Sequence, residues 1–511
     1  MLARTLCFAL MGVDGIPVTV ETDVHGGMGN MTMVGLPDAA VRESRDRVTG
    51  ALRNSGFSVP AGKITVNLSP ADVRKEGAAF DLSIAVSIIA ASRQAAMPDR
   101  HQTLLVGELS LDGSLVPVRG ALSMVISARE QGVEKVILPR GNAAEVASVE
   151  GMLVYPADHL MQAVAHLSGK MPLLAQEQVP YGELLHAHES RYDLKDVRGQ
   201  QGARRALEIA AAGGHNLLLI GVPGSGKTML ARCLPGILPS MTVEEAFETT
   251  RIHSVAGVLK PGQGLLSERP FRTPHHSASL PSLIGGGANA RPGEVSLAHN
   301  GVLFLDELPE YQRTTLEALR QPLEDGEVTV SRVKARTNFK ARTMLVAGMN
   351  PCPCGYYGSR THPCRCNEHE IRRYLDRISG PLLDRIDLQL EVDAVPVSEI
   401  NASGEAESSQ AVRLRVEKAR KVQQQRLKGT EMSCNAHLQG DLLKKYCALD
   451  EKASRLMEMA VEKYGMSMRG YNRVLKVART IADLSGEEKI LPQHVAEAIQ
   501  YRTLDQKYWG R

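Results

Sequence analysis

The sequence predicts a multidomain α/β protein, and three observations lead there. A chain of 511 residues is longer than one hydrophobic core ordinarily supports, so two or three domains are expected. Short apolar runs at Asn216–Ile220, Val302–Leu305 and Met344–Ala347 alternate with helical stretches, the pattern of a parallel sheet covered by helices. Finally, Ala453–Ala482 and Pro492–Arg502 carry helical periodicity without strand signals, which predicts an all-helical end.

Composition limits what such a chain can do. The apolar fraction of 43% suits a folded protein, and aromatics are sparse at 4% with one Trp. A net charge of +3 means that any nucleic-acid surface must be local. No run reaches the about 18 apolar residues needed to span a bilayer, so no membrane partner is expected. Leu6–Val13 after Arg4 faintly resembles a signal-peptide core. Asp14 interrupts it and no small-x-small cleavage site follows, so a first β-strand is predicted instead. Four of the eight cysteines crowd between Cys352 and Cys366, while Cys7, Cys233, Cys434 and Cys447 stand apart. That spacing is not a disulfide framework and points to a reducing, cytoplasmic compartment.

Taken in order, residues 1–168 mix strands at Ile16–Glu21, Ile64–Leu68 and Val136–Leu138 with helices at Ala39–Ser55 and Asp81–Ser92. Residues 169–190 lose periodicity and carry Pro172 and Pro180, as a linker does. An α/β core is expected over 191–396, opening with the helix Ala203–Ala212. A charged segment, 397–430, follows, and a helical lid over 431–511 ends the chain. Within the charged segment Arg413–Lys428 has seven basic residues and one Glu, which reads mainly as a solvated connecting helix.

The most specific motif is Gly221-Val222-Pro223-Gly224-Ser225-Gly226-Lys227-Thr228. It follows an apolar strand and opens the helix beginning at Met229, the setting a phosphate-binding loop requires. Glycines let backbone N–H groups turn inward around phosphates, and the helix N-terminus adds positive potential. Lys227 would reach the β- and γ-phosphates of ATP, and Thr228 would ligate Mg²⁺. Downstream, the apolar strand ending at Asp306-Glu307 places one carboxylate to hold the hydrated Mg²⁺ and the next to polarise the attacking water.

Three longer words surround these residues: Arg269-Pro-Phe-Arg-Thr-Pro-His-His276, Arg291-Pro-Gly-Glu-Val-Ser-Leu-Ala-His299 and Gly348-Met-Asn-Pro-Cys-Pro-Cys-Gly355. With them the chain resembles, over almost its whole length, the ComM/YifB family of magnesium-chelatase-like AAA+ ATPases of the helix-2-insert branch. The resemblance implies an AAA+ core with a C-terminal helical lid. It implies that Asn350 is the sensor-1 residue, Arg385 an arginine finger for a neighbouring subunit, and Arg469 the sensor-2 arginine, with Arg473 as a substitute. It also implies a homo-hexamer acting on single-stranded or branched DNA, as a helicase or branch-migration factor in natural transformation.

Between the acidic pair and Asn350, the stretch Ser331–Arg342 has five basic residues and no acidic one, in a predicted β-hairpin. Arg332, Lys334, Arg336 and Lys340 would track a phosphate backbone if, as in helicase relatives, the hairpin projects into a ring channel; a merely solvated hairpin is the alternative. Ser279–Gly293 is expected to form a second insert. Cys352, Cys354, Cys364 and Cys366 form two Cys-x-Cys pairs that would close a structural, tetrahedral zinc site, or stand as four reduced thiols. His362 and His369 are alternative ligands.

Near the N-terminus, Val66–Leu82 and Gly113–Pro139 resemble the proteolytic domain of Lon, a ribosomal-S5-like fold. Lon-type hydrolysis needs a nucleophilic Ser and a Lys base. The aligned positions hold Ala79 and Leu122, so the domain, of the ChlI type, is expected not to cleave peptides. Lys75 and Arg74 would be phosphate contacts or simply surface charges. Two readings besides the DNA motor are a chelatase-type ATPase remodelling a protein partner and an ATP-dependent protease, the latter opposed by Ala79 and Leu122.

Overall fold

The computed structural model describes residues 1–27, 29–185, 192–287, 291–331, 336–359, 362–395, 406–430 and 432–510. Contacts divide them into two compact units. The first comprises Met1–Ala187, Thr242–Ser267 and Ser331–Phe339, and the second His188–Met241, Glu268–Val330 and Lys340–Arg511.

The first unit is built on a seven-stranded mixed sheet. In spatial order its strands are Met31–Val34, Lys63–Ser69, Asp14–His25, Leu2–Met11, Thr103–Leu105, Lys135–Pro139 and Leu153–Ala157. Leu2–Met11 is thus a strand, and it pairs antiparallel with Asp14–His25 through a two-residue turn. Val18, Val20 and Thr22 alternate inward, as period-2 patterning demands of a half-buried strand. The helix Asp81–Ala91 is buried at every residue, which accounts for its almost continuous apolar run. One helix of this unit comes from far along the chain. Val243–Ala256 begins with a Thr242/Glu245 capping box and packs against Ala121–Glu130. Its Ser254 hydroxyl donates to the buried Glu145 carboxylate at 2.7 Å.

Ala79 and Leu122 lie in this core, at 7% and 0% exposure. No nucleophile or base is presented at either place. Lys75 is also fully buried, with its ammonium donating to the Pro70 carbonyl, so the phosphate contact expected of it is corrected: it satisfies a backbone acceptor. Arg74 does remain exposed, paired with Glu76 at 3.3 Å.

The second unit is built on a five-stranded sheet. In spatial order its strands are Phe271–Arg272, Val302–Leu305, Met344–Met349, Leu217–Ile220 and Leu388–Glu391, all parallel. Every residue of the two central strands is buried, as expected when helices cover both faces. The C-terminal helices Glu451–Tyr464, Met468–Ser485 and Pro492–Gln500 share one apolar core with the sheet, through the helices Gln201–Gly213 and Ser409–Arg426. The last of these is the basic helix read from sequence, and it buries Val412, Val416 and Ala419.

A buried polar network ties this core together. Asp387 accepts from the Asn216 amide at 3.1 Å, faces His215 Nδ1 at 3.4 Å and pairs with Arg473 at 2.9 Å. Burial alone would raise the Asp387 pKa, but the His215 hydrogen bond and the Arg473 charge hold it well below the usual carboxylate range. No helix among the described residues is long and apolar enough to cross a membrane.

Candidate active site

Parallel strands end on the same edge of their sheet, and this edge collects the residues that the sequence spreads over 130 positions. Leu217–Ile220 ends in the loop 221–228, Val302–Leu305 in Asp306-Glu307, and Met344–Met349 in Asn350. Because neighbouring strands lie about 4.8 Å apart, three adjacent strand ends bring these side chains within bonding range.

The loop turns into the helix Lys227–Ile237 through Gly226, whose φ of +88° an L side chain rarely adopts. Lys227 is 8% exposed, and its ammonium donates to the carbonyls of Gly221 (2.8 Å) and Val222 (3.0 Å) and to Asn350 Oδ1 (3.2 Å). Desolvation lowers its pKa, against the opposing charges of Asp306 and Glu307. The Ser225 hydroxyl is buried without a hydrogen-bond partner, an orphan that a phosphate oxygen would satisfy. Pro223 and Gly224 form the tip of the loop, and Met229 stands 39% exposed in the first helical turn.

The Thr228 hydroxyl donates to Asp306 Oδ2 at 2.8 Å. A hydroxyl and a carboxylate so close together are the hard oxygen donors that Mg²⁺ prefers, so these residues fit that ion. Glu307 has a φ of +52°, a strained value for a non-glycine residue, and its amide donates to Asp306 Oδ1 at 3.0 Å. That backbone turn sends the Glu307 carboxylate outward, where it is 56% exposed and 3.5 Å from His276 Nδ1. His276 thus stands beside the candidate site, a placement that sequence reasoning missed. Its only signal was the His275-His276 doublet, and the segment is held by Tyr311, whose hydroxyl donates to the Pro274 carbonyl.

The arginines stand elsewhere. Asn216, just before the strand that leads into the phosphate loop, donates to the Arg385 carbonyl at 2.7 Å. Arg385 is therefore at the opposite end of that strand from the loop. Its guanidinium donates to Pro381 O (2.7 Å) and Arg320 O (3.1 Å) and pairs with Glu324. Arg469 is 66% exposed and 4.0 Å from Asp384, the residue preceding Arg385, so the two arginines share one end. Arg473 is enclosed by its ion pair with Asp387, which leaves Arg469 as the exposed candidate of the two.

Glu327–Ser331 and Arg336–Lys340 form a two-stranded sheet, the hairpin expected there. Arg332 and Lys334 lie outside the described residues, as does the Arg336 side chain, while Lys340 is half-buried at the end of the second strand. In the second insert, the helix Leu280–Ile284 precedes a short antiparallel pairing of Gly285–Gly286 with Arg291–Pro292.

The four cysteines converge. Sγ separations are 3.4 Å for Cys352–Cys354, 3.7 Å for Cys352–Cys364 and 3.6 Å for Cys354–Cys364, and all four sulfurs, Cys366 included, lie within 4.8 Å of one another. A tetrahedron of sulfurs about 2.3 Å from zinc has edges of about 3.8 Å, so the donor set fits that ion. His362 and His369 do not join it. His362 stacks on Tyr356 with ring centroids 5.0 Å apart, and His369 is exposed on the helix Glu368–Leu375.

Comparison with known proteins agrees along the chain. Families described as subunit ChlI of Mg-chelatase, magnesium chelatase subunit ChlI, and the C-terminal part of that subunit match residues 20–142, 193–400 and 406–502 respectively. A protein named YifB from Salmonella typhimurium is 46% identical over 498 residues, covering 97% of this chain and 96% of its own. Competence protein ComM from Haemophilus influenzae is 46% identical over 503 residues, with the same coverage of 97% and 96%. Lon protease 2 from Thermus thermophilus is 27% identical over 164 residues, covering 30% of this chain and 20% of its own.

Proposed function

Since this chain belongs to the magnesium-chelatase-like AAA+ family of subunit ChlI, we propose that it is an ATP-hydrolysing ring motor that acts on DNA. The observation that carries the ATPase part is the meeting of Lys227, Thr228, Asp306 and Asn350 at one sheet edge, with Thr228 and Asp306 2.8 Å apart. Lys227 and the loop amides bind the phosphates. Mg²⁺, when held by Thr228 and Asp306, neutralises the charge that spreads onto them. Glu307 takes the proton of the attacking water, and Asn350 helps to place that water. Arg385 acts from a neighbouring subunit of a homo-hexamer, since the strand separates it from its own loop, and Arg469 serves as the sensor-2 arginine of the helical lid.

Two features favour DNA as the substrate. The Haemophilus relative is named for competence, and the hairpin carries Arg332, Lys334, Arg336 and Lys340. Hairpins around a ring would grip a phosphate backbone and pull it as ATP turns over, in the cytoplasm, as a helicase or branch-migration factor during natural transformation and recombination. The Lon-like domain, lacking nucleophile and base, serves assembly or the holding of DNA.

The test is the ATPase rate with and without single-stranded and four-way-junction DNA across a salt series. Stimulation that fades with salt is expected. Neutralising Lys334 and Arg336 should flatten the slope of log affinity against log salt by roughly 1.4, from about 0.7 per lost contact on single strands. An ATPase indifferent to every DNA would instead favour the chelatase-type reading, in which the motor remodels a protein partner.

The four-cysteine centre holds structural zinc in this reading. Metal analysis of the purified chain should find about one zinc per polypeptide, and replacing all four cysteines by Ser should abolish it. Metal-free wild-type protein would refute the assignment.

A further inference from the structure

We infer that the zinc centre is a clamp on the phosphate loop, so that metal occupancy sets nucleotide affinity. This inference rests on the zinc reading above. The cysteine-bearing segment meets the nucleotide site at two points. At its start, Asn350 stands two residues before the ligand Cys352 and accepts from Lys227 at 3.2 Å. In its middle, Gly355 lies against the loop itself: a Cβ built there would fall 2.6 Å from Pro223 Cδ and 2.7 Å from Cγ. After the ligand Cys366 the chain enters the helix Glu368–Leu375, whose Tyr374 and Leu375 are buried.

The reach extends beyond the loop. Tyr357, whose amide donates to Cys352 Sγ at 3.3 Å, packs edge-on against Tyr508 with centroids 6.4 Å apart. The Tyr508 hydroxyl donates to Glu391, the last residue of the strand beside Leu217–Ile220. The cysteine segment is thus wedged between the tip of the phosphate loop and the C-terminal helix Leu504–Trp509.

Physically, four thiols within 4.8 Å of one another in a Gly- and Pro-rich turn have little to hold them without an ion. Zinc binds them as thiolates, with their protons released to solvent, and fixes the turn. Fixing Cys352 and Cys366 fixes both ends of the wedge. Gly355 is then pressed onto Pro223, and Asn350 is kept facing Lys227. The φ of +86° at Gly355 and the absence of a Cβ are what allow that approach.

The experiment strips zinc from the full-length protein with a chelator, titrates mant-ATP, then restores zinc and repeats. Gly355→Ala is titrated in parallel, with its zinc content measured. The expected result is an about tenfold loss of nucleotide affinity on stripping, regained with zinc, and a similar loss in Gly355→Ala at full zinc occupancy. Should the stripped chain unfold by circular dichroism, Gly355→Ala decides. Stoichiometric zinc with wild-type affinity in Gly355→Ala would overturn the clamp and leave the zinc site standing. Absence of zinc from wild-type protein would remove both.

Discussion

Glu307→Gln should bind ATP as the wild type does and hydrolyse it about 10²- to 10⁴-fold more slowly. Gln matches Glu in shape but cannot take a proton from water. Asp306 keeps its contact with Thr228 at 2.8 Å, so the binding of Mg²⁺ and phosphate should survive. The strained turn at Glu307 (φ +52°) isolates its carboxylate from that pair and exposes it beside His276. Substitution should therefore remove the base without disturbing the metal ligands. Single-turnover hydrolysis together with mant-ATP titration separates the two effects. An unchanged rate would mean that another group activates the water, and a parallel loss of binding would mean that Glu307 is a ligand rather than a base.

Arg385→Ala should lower hydrolysis by about 10³-fold or more while leaving affinity largely intact, the signature of a cation supplied to the transition state. The reasoning is positional. Arg385 lies beside Asn216, and the four-residue strand that follows spans about 13 Å before the phosphate loop begins. A side chain there cannot reach its own nucleotide. It can complete a neighbour's, after releasing Glu324. Mixing Arg385→Ala with Lys227→Ala subunits provides the check. Some sites in mixed rings pair an intact Lys227 with an intact Arg385, so activity should partly return. No recovery, with both variants folded and assembling, would assign Arg385 a structural role within its own subunit.

Reading the chain alone singled out the loop 221–228 as the candidate phosphate site because that motif is contiguous. A strand, a glycine-rich turn and a helix N-terminus follow one another in sequence, and each has a local signature. Asp306-Glu307 was legible for a related reason, since an apolar run ending in acids describes the buried strand and its exposed end together. The cysteine pairs were legible as a candidate cluster, and the fold brings their four sulfurs within 4.8 Å of one another. His276 stayed hidden because only the fold brings residue 276 to residue 307.

Charged residues were the hardest to judge. Lys75, Arg469 and Arg473 look alike in a string of letters. Yet Lys75 is sealed against Pro70, Arg473 is locked to Asp387, and Arg469 stands 66% exposed. Burial of a charge depends on whether a remote element supplies a partner, and no local pattern records that. The helix Val243–Ala256 makes the same point for packing. Its capping box predicts a helix at that place, but not that it packs with the N-terminal unit.

By itself, then, the sequence determined the α/β architecture, the phosphate loop, the acidic strand end and the four clustered cysteines, because short-range rules of period, turn and spacing specify them. Tertiary structure decided which of these meet. Parallel strand order set Thr228 beside Asp306 and Asn350 beside Lys227, put Arg385 at the far end of the strand, and laid the cysteine turn on Pro223. Those are contacts between residues tens to hundreds of positions apart. They are fixed by how strands register and layers pack, which only the folded chain expresses.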